Sequence, residues 1–479
     1  VGLLIIAMLA LMGCAKTGGE GKVPITSMSD EATREYLKGR ALAEKLLLQS
    51  SINYFDAAVS LDPTFAMAHL NRAFASPTAK EFFEHLHHAV SLVDKVSEGE
   101  RLTILAADAG AYGRSGQQKE FLDKLIAAYP NDERVHFAMG NHYNGQQAYI
   151  DAIAHYRKAI EISPDYSPGY NSLGYAYRAT ENYVEAENAF KKYTELIPND
   201  PNPADSYAEL LLRMGRFDES IAYYKKALSV DPKFPASHIG IACNLMYQGK
   251  ADESRGRLQM LYDNARDDGE RRGALFGIAI LYVDRGEMDF AMDEFDRQYK
   301  LGEKINDVAA IVGDLTSMGL LAEERGKLDE AQTLYERGLK LSEESNLSQS
   351  LKDNVKLFHH YNMAGLALRK KDLKTANAEA AEVRTAAMAS KNANQIRLVH
   401  ELVGRITLEE KRYDDAIVAL QQANQQDMYN LYRLSLAYMG NGDTATARHF
   451  CEKAARTYNL PNLNYALIRM RAEKMLATM

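Results

Sequence analysis

Residues 167–200 read SPGYNSLGYAYRATENYVEAENAFKKYTELIPND, and their spacing decides the fold. Tyr170, Leu173, Gly174 and Tyr177 recur at i, i+3, i+4 and i+7, one stripe along a first helix. Ala186, Phe190 and Tyr193 make the facing stripe on a second. Gly174 and Ala186 are small where the two helices must cross closely, and the rings of Tyr177 and Phe190 fill the space beside that crossing. Pro198 stops the second helix, because proline has no N–H to donate and disfavours helix in the residue before it. The same pattern returns at 34-residue intervals on either side, as ERVHFAMGNHYNGQQAYIDAIAHYRKAIEISPDY at 133–166 and PNPADSYAELLLRMGRFDESIAYYKKALSVDPKF at 201–234. Gly140 and Ala152 take the small positions of the earlier copy, and Pro164 and Pro232 stand at the offset of Pro198.

Outward from this core the pattern loosens but persists. Gly249, Gly286 and Gly326 mark turns between paired helices, followed by Ser254, Ala291 and Ala331 at the small position and Leu258, Phe295 and Tyr335 at the bulky one. Units starting near 32, 66, 102, 133, 167, 201, 235, 272, 312, 357, 397 and 428 give about twelve repeats. The weakest is 66–99, where Ser76-Pro77 cuts the first helix short. After residue 235 the spacing exceeds the ideal, so longer helices or loops must absorb the excess, with SEESNLSQSLKDN at 342–354 the expected place. Residues 462–476 are expected to form a final capping helix whose apolar face, Leu463, Leu467 and Met470, covers the last pair.

This register resembles the tetratricopeptide repeat. The resemblance implies an all-α solenoid of helix-turn-helix units coiling right-handed, with partner peptides held along the surface of the first helices. The residues so placed are Phe137 and Asn141, then Asn171, Tyr175 and Arg178, then Asp205, Glu209 and Arg213, then Ile239, Cys243 and Met246. Rings and amides suit a peptide backbone with apolar side chains between its polar groups. Asn141 fits the family's clamp for C-terminal carboxylates, but Phe137, Asn202 and Ser206 stand where that clamp has basic residues. Arg178 and Arg213 remain able to receive a carboxylate. Residues 133–234 are also similar to repeats that accompany bacterial serine/threonine kinases and transcriptional regulators, including Pro203-Ala204-Asp205-Ser206, although no kinase signature occurs.

The N-terminus carries a different signal. VGLLIIAMLALM at 1–12 is apolar but too short to span a bilayer, and it ends in Gly13-Cys14. Leu11-Met12-Gly13-Cys14 resembles the lipobox of bacterial lipoproteins, which implies cleavage before Cys14, acylation there and firm anchoring by several chains. Ala15 in place of Asp favours, by the same resemblance, the periplasmic face of the outer membrane. The expected organisation is a signal peptide at 1–13, a lipidated, flexible tether at 14–29, divergent units at 30–131, core units at 132–268, further units at 269–341, C-terminal units at 342–461, and a capping helix with its tail at 462–479.

Composition narrows the function. Lys and Arg number 57 against 65 Asp and Glu, a net charge of −8, which leaves no basic excess to hold nucleic acid. Three Cys are too few for a disulfide framework, and Cys243 and Cys451 read as small buried apolar residues. No nucleophile elbow, HExxH or CxxC occurs. Acid pairs such as Glu323-Glu324 and Asp414-Asp415 read as solvated helix surface, and the histidines at 85, 87 and 88 lack a full ligand set. No catalysis, cofactor or metal is expected. The reading is a membrane-anchored scaffold for partner proteins or peptides on the bacterial cell envelope. The alternative is an envelope protein that binds a small ligand, peptide or glycan in an enclosed pocket for a complex or transporter.

Overall fold

A computed structural model describes residues 15–17, 21–76 and 79–479, so the lipobox and Cys14 lie outside the described residues. Among the described residues the chain is helical apart from one two-stranded antiparallel ladder, β1 (Ala15–Thr17) with β2 (Ile25–Ser27). It divides into a first compact unit ending at Thr180 and a second, Glu181–Met479.

The first unit contains α1 (Asp30–Ala43), α2 (Leu48–Leu61), α3 (Ala66–Phe74), α4 (Ala79–Ser91), α5 (Glu98–Ala111), α6 (Ser115–Ala128), α7 (Glu133–Gly145), α8 (Tyr149–Ile162) and α9 (Ser167–Ala179). The first eight pack as antiparallel pairs. α3 has only nine residues and ends at Phe74, just before Ser76-Pro77. Close approach within a pair is bought by glycine: a Cβ on Gly140 of α7 would lie 2.5 Å from the ring of Tyr156 on α8. Ala152, buried one turn before Tyr156, keeps the crossing tight.

The second unit opens with α10 (Tyr183–Leu196). It continues through α11 (Pro201–Arg213), α12 (Phe217–Val230), α13 (Pro235–Tyr247), α14 (Ala251–Asp263), α15 (Asp268–Asp284), α16 (Met288–Lys304), α17 (Val308–Glu324) and α18 (Leu328–Glu344). It closes with α19 (Gln349–Arg369), α20 (Leu373–Ser390), α21 (Ala393–Glu409), α22 (Tyr413–Gln422), α23 (Met428–Gly440), α24 (Thr444–Arg456) and α25 (Leu463–Leu476). From α11 to α24 the helices again pair in order; the first helices touch from α11 to α15 and from α17 to α23, and Arg272 of α15 joins the two runs by bonding Asp314 of α17. Gly319 on α17 repeats the glycine-on-ring contact, 2.3 Å from Tyr335 on α18. Pro164, Pro198 and Pro232 each follow the C-cap of a second helix.

The excess spacing after residue 235 is absorbed mainly by the helices. α15 to α18 have 17 residues each and α19 has 21, against 13 or 14 in α11 to α14, while only four residues separate α18 from α19. Adding about one turn preserves the face that a helix presents, which a looped insertion need not do.

Two segments depart from the expected organisation. Residues 22–28, read as part of a flexible tether, lie extended on the first unit, with Ile25 buried among Tyr36, Phe55 and Phe65. Helix α25 covers the last pair with Tyr465, Ile468 and Ala472, not with Leu463, Leu467 and Met470. Leu467 instead turns toward Ala279, Ile280 and Val283 on α15, and Met470 is exposed. The helix is thus wedged between two layers, and each takes a different side of it.

Candidate functional site

The residues expected to contact partners fall in both units. In the first, Phe137 is packed between Tyr156 and Tyr166, at ring separations of 5.8 and 5.4 Å. Asn141 is exposed and accepts a hydrogen bond from the Tyr156 hydroxyl at 2.8 Å. On α9, Arg178 lies 4.7 Å over the Tyr175 ring, and the side-chain oxygen of Asn171 is buried without a hydrogen bond. Phe137 therefore belongs to the packing between helices, while Asn141 lies at the surface.

Three carboxylates of this unit hold the extended segment. Asp132 accepts from the Val23 N–H at 2.8 Å, Glu100 from the Thr26 N–H at 2.7 Å and its hydroxyl at 2.6 Å, and Asp62 from the Met28 N–H at 2.7 Å and the Ser27 hydroxyl at 2.8 Å. Lys22 pairs with Glu133 at the far end. Burial alone would raise the Asp62 carboxyl, but the hydrogen bonds from Thr64, Met28 and Ser27 outweigh it and hold the group below its usual range. Asp62 is the C-cap of α2, Glu100 lies in the first turn of α5 and Asp132 is the N-cap of α7, so one extended stretch can reach all three.

Histidines form matched contacts in the same unit. His69 and His85 approach at 3.3 Å between their Nδ1 atoms, and so do His136 and His155. His69 also stacks on His88, whereas His142 bonds Gln118. In both pairs the Nε2 of the first histidine reaches a proline carbonyl, Pro63 or Pro130, leaving its Nδ1 to accept from its partner. Among the described residues no three His, Cys, Asp or Glu side chains gather as a metal would require.

In the second unit, Asp205 is buried and accepts from the Ser237 hydroxyl at 2.6 Å. Burial, with Glu209 nearby, pushes its carboxyl up to about 7 against the opposing Ser237 bond. Ile239 packs with Ala242, Leu258 and Ile278. Cys243 and Met246 are buried beside Pro461, around an apolar space of about 10 Å³. That is room for about one water, far below the roughly 300 Å³ at which ligand pockets begin. Cys451 is also buried, its thiol against the Ala472 carbonyl.

Pro461 belongs to the C-terminal segment, and that segment lies on the first-helix layer. Arg213 bonds the Asn459 side chain, and the Tyr247 hydroxyl donates to the Asn459 carbonyl at 2.6 Å. Tyr458 is set against Phe217 and Tyr247, with ring centroids 4.8 and 5.1 Å away. Beyond it, Arg469 grips Asp284 through two parallel hydrogen bonds, one of 2.6 Å, and Arg471 pairs with Glu324, which also accepts from Tyr429 at 3.1 Å. Further along the layer, Glu401 receives Arg433 at 2.7 Å and Asn430 at 3.0 Å. Burial would raise the Glu401 carboxyl, but Arg433 and Arg405 outweigh that and hold it below its usual range.

Glu323 and Glu324 are accordingly not solvated surface: their side chains are buried, because the C-terminal segment and the following first helices cover them. Asp414 and Asp415 are exposed. The charges that line this layer escaped sequence reasoning. Their available signal was an acid at the last residue of a first helix, Asp284 in α15 and Glu324 in α17, where the helix dipole disfavours negative charge.

A tetratricopeptide-repeat family model matches residues 133–166 and 206–234, and a second matches 155–188. The chain carries tetratricopeptide repeats. Three solved structures are similar to it. YrrB, described as a TPR protein with an unusual peptide-binding site, is 17% identical over 38% of this chain and 91% of its own, with a TM-score of 0.27. MamA is 19% identical over 34% of this chain and 88% of its own, with a TM-score of 0.30. A tetratricopeptide repeat protein from Parabacteroides merdae is 16% identical over 57% of this chain and 98% of its own, with a TM-score of 0.37. No curated relative matches the chain. Tetratricopeptide repeats generally mediate protein–protein interactions and are typically non-catalytic. No described helix is long and apolar enough to cross a membrane.

Proposed function

We propose that this protein is a non-catalytic scaffold that binds partner proteins or peptides on its first-helix surfaces. It is tethered to the bacterial cell envelope by lipid on Cys14, on the periplasmic face of the outer membrane. The observation that carries the reading is that both units already hold polypeptide. Residues 22–28 are gripped through their backbone N–H groups, and Tyr458–Arg471 through side chains. Surfaces that satisfy a chain segment so fully have the donors, acceptors and rings that peptide recognition uses. Anchoring rests on the lipobox resemblance at Leu11-Met12-Gly13-Cys14.

In-cell crosslinking of the native protein, followed by affinity purification and mass spectrometry, tests both parts. A discrete partner set crosslinked to the first-helix surfaces is the expected result, and recovery of the protein alone refutes the scaffold. Cys14→Ser is expected to leave the membrane fraction; unchanged retention refutes the lipid anchor without touching the scaffold.

A further inference from the structure

Asp284 and Glu324 end successive first helices of the second unit, and both side chains are buried, 4% and 3% exposed. A carboxylate in that position faces two penalties: desolvation, and the negative end of its own helix dipole. Neither side chain receives a cation from its own repeat pair. The cations come from Arg469 and Arg471, more than a hundred residues further along the chain. The repeat layer therefore carries two acids that are unfavourable by themselves, Glu324 eased within the layer only by the Tyr429 hydroxyl, and that take their cations from a distant segment, the kind of local inconsistency that marks a functional site.

The segment that relieves them has the form of a ligand. Tyr458 and Asn459 are held in an irregular stretch by Phe217, Tyr247 and Arg213, Pro461 then caps the small apolar space over Cys243, and α25 lays Leu467 on α15 just ahead of the two arginines. We infer that the first-helix layer of the second unit is a docking surface for an arginine-bearing helix that lays an apolar side on it, and that Tyr458–Arg471 is its resident occupant, which a partner helix of the same chemistry displaces. The inference rests on the scaffold reading and specifies the partner: a helix with an apolar ridge, two arginines two residues apart, and an aromatic-amide lead-in. The two acids select cations at fixed positions, and the aromatic seat fixes the register.

The test uses the full chain and a labelled synthetic peptide of residues 457–479, TYNLPNLNYALIRMRAEKMLATM. Arg469→Ala/Arg471→Ala in the chain frees the acids. The double variant is expected to bind the peptide at least about tenfold more tightly than the unsubstituted chain, more weakly as salt rises. Binding is lost on adding Asp284→Asn and Glu324→Gln, and with a peptide whose two arginines are alanine. A double variant whose α25 amides exchange freely but which takes up no peptide overturns the inference. Should that variant fold poorly, hydrogen exchange on the unsubstituted chain decides. Opening of α25 ahead of α23 and α24 is expected, and exchange of the three together overturns a displaceable occupant. A cellular partner whose capture is indifferent to the peptide refutes the inference and leaves the scaffold standing. Peptide binding without any cellular partner refutes the scaffold and the displacing partner, and leaves only the seat that the two acids make for the chain's own segment.

Discussion

The extended segment on the first unit and the C-terminal segment on the second are both lengths of this chain lying on helical repeats, yet they are held by opposite chemistry. On the first unit the repeats supply acids and the segment supplies backbone N–H groups at Val23, Thr26 and Met28, which any residue but proline could donate. On the second, the segment supplies its own side chains, Asn459, Arg469 and Arg471, to named partners on three different helices, and only the Asn459 carbonyl, which accepts from Tyr247, is a backbone contact among these. The first grip rests mainly on backbone N–H groups, with Lys22, the Thr26 and Ser27 hydroxyls and buried Ile25 adding to it, and it fixes a conformation. The second is selective, and replacing one residue leaves a buried charge behind. A surface of the first kind suits a permanent strap, whereas one of the second kind can discriminate between occupants.

The largest effect is therefore expected on the second unit. Arg469→Ala strands Asp284 in a buried position, and breaking a buried pair from one side typically costs about 3–5 kcal/mol. Hydrogen exchange should show α25 and the C-terminal end of α15 losing protection together while α11 and α12 keep theirs, because repeat stability is local. Arg469→Lys should recover only part of the loss, since an ammonium cannot reproduce the two parallel bonds to Asp284. Equal exchange in the alanine variant and the parent would mean that the pair contributes nothing, and the contrast between the units would fall.

A smaller loss is expected when the strap loses an acid. Glu100→Ala removes the acceptor for Thr26 and also for the Ser97 backbone, which it serves in the capping box of α5. Two backbone donors, the Thr26 and Ser97 N–H groups, lose their acceptor along with the hydroxyls of the same residues, about 2–3 kcal/mol in all. The amides of residues 23–28 should then exchange faster while α7 and α8 stay protected. Replacing Thr26 by Val should do much less, because the backbone N–H remains. If Thr26→Val matched Glu100→Ala, the side chains would be the grip, and the two segments would be alike after all.

The repeats themselves were legible because 34-residue periodicity constrains small and bulky residues at every turn of two helices, so that Gly140, Ala152 and Pro164 announce themselves together. The need for extra length after residue 235 was legible too. Its location was not, since an added helical turn and an added loop use similar residues. Contacts such as Arg469 with Asp284 leave no local pattern, being 185 residues apart. The strap was hidden by its composition: a Gly-rich polar stretch reads as mobile, and what orders it are acids contributed by repeats far along the chain. Of the residues expected to meet partners, Arg213 bonds Asn459 of the chain's own C-terminal segment, while Phe137 and Ile239 are half-buried against neighbouring helices, a division between packing and surface that spacing does not reveal.

Acid should be the mildest of the three perturbations, and it should separate the units again. Burial holds His69, His85 and His155 below the ordinary histidine range. A group depressed on folding binds fewer protons in the folded state. The stability it contributes is present above the unfolded value near 6.5 and is lost as pH falls toward the folded one. Protonation would also turn both Nδ1 atoms of each 3.3 Å pair into donors facing one another. Asp205 in the second unit has the opposite sign: raised to about 7, it is most favourable when protonated and loses stability as pH rises through that value. Lowering pH from 7.5 to 5.5 should therefore speed exchange in α3, α4, α7 and α8 while leaving α11 and α13 unchanged or slower. Replacing His69, His85, His142 and His155 together by Gln should flatten the response of the first unit. Were the acid response to survive that replacement, the histidines would not be its source, and their burial would no longer separate the two units.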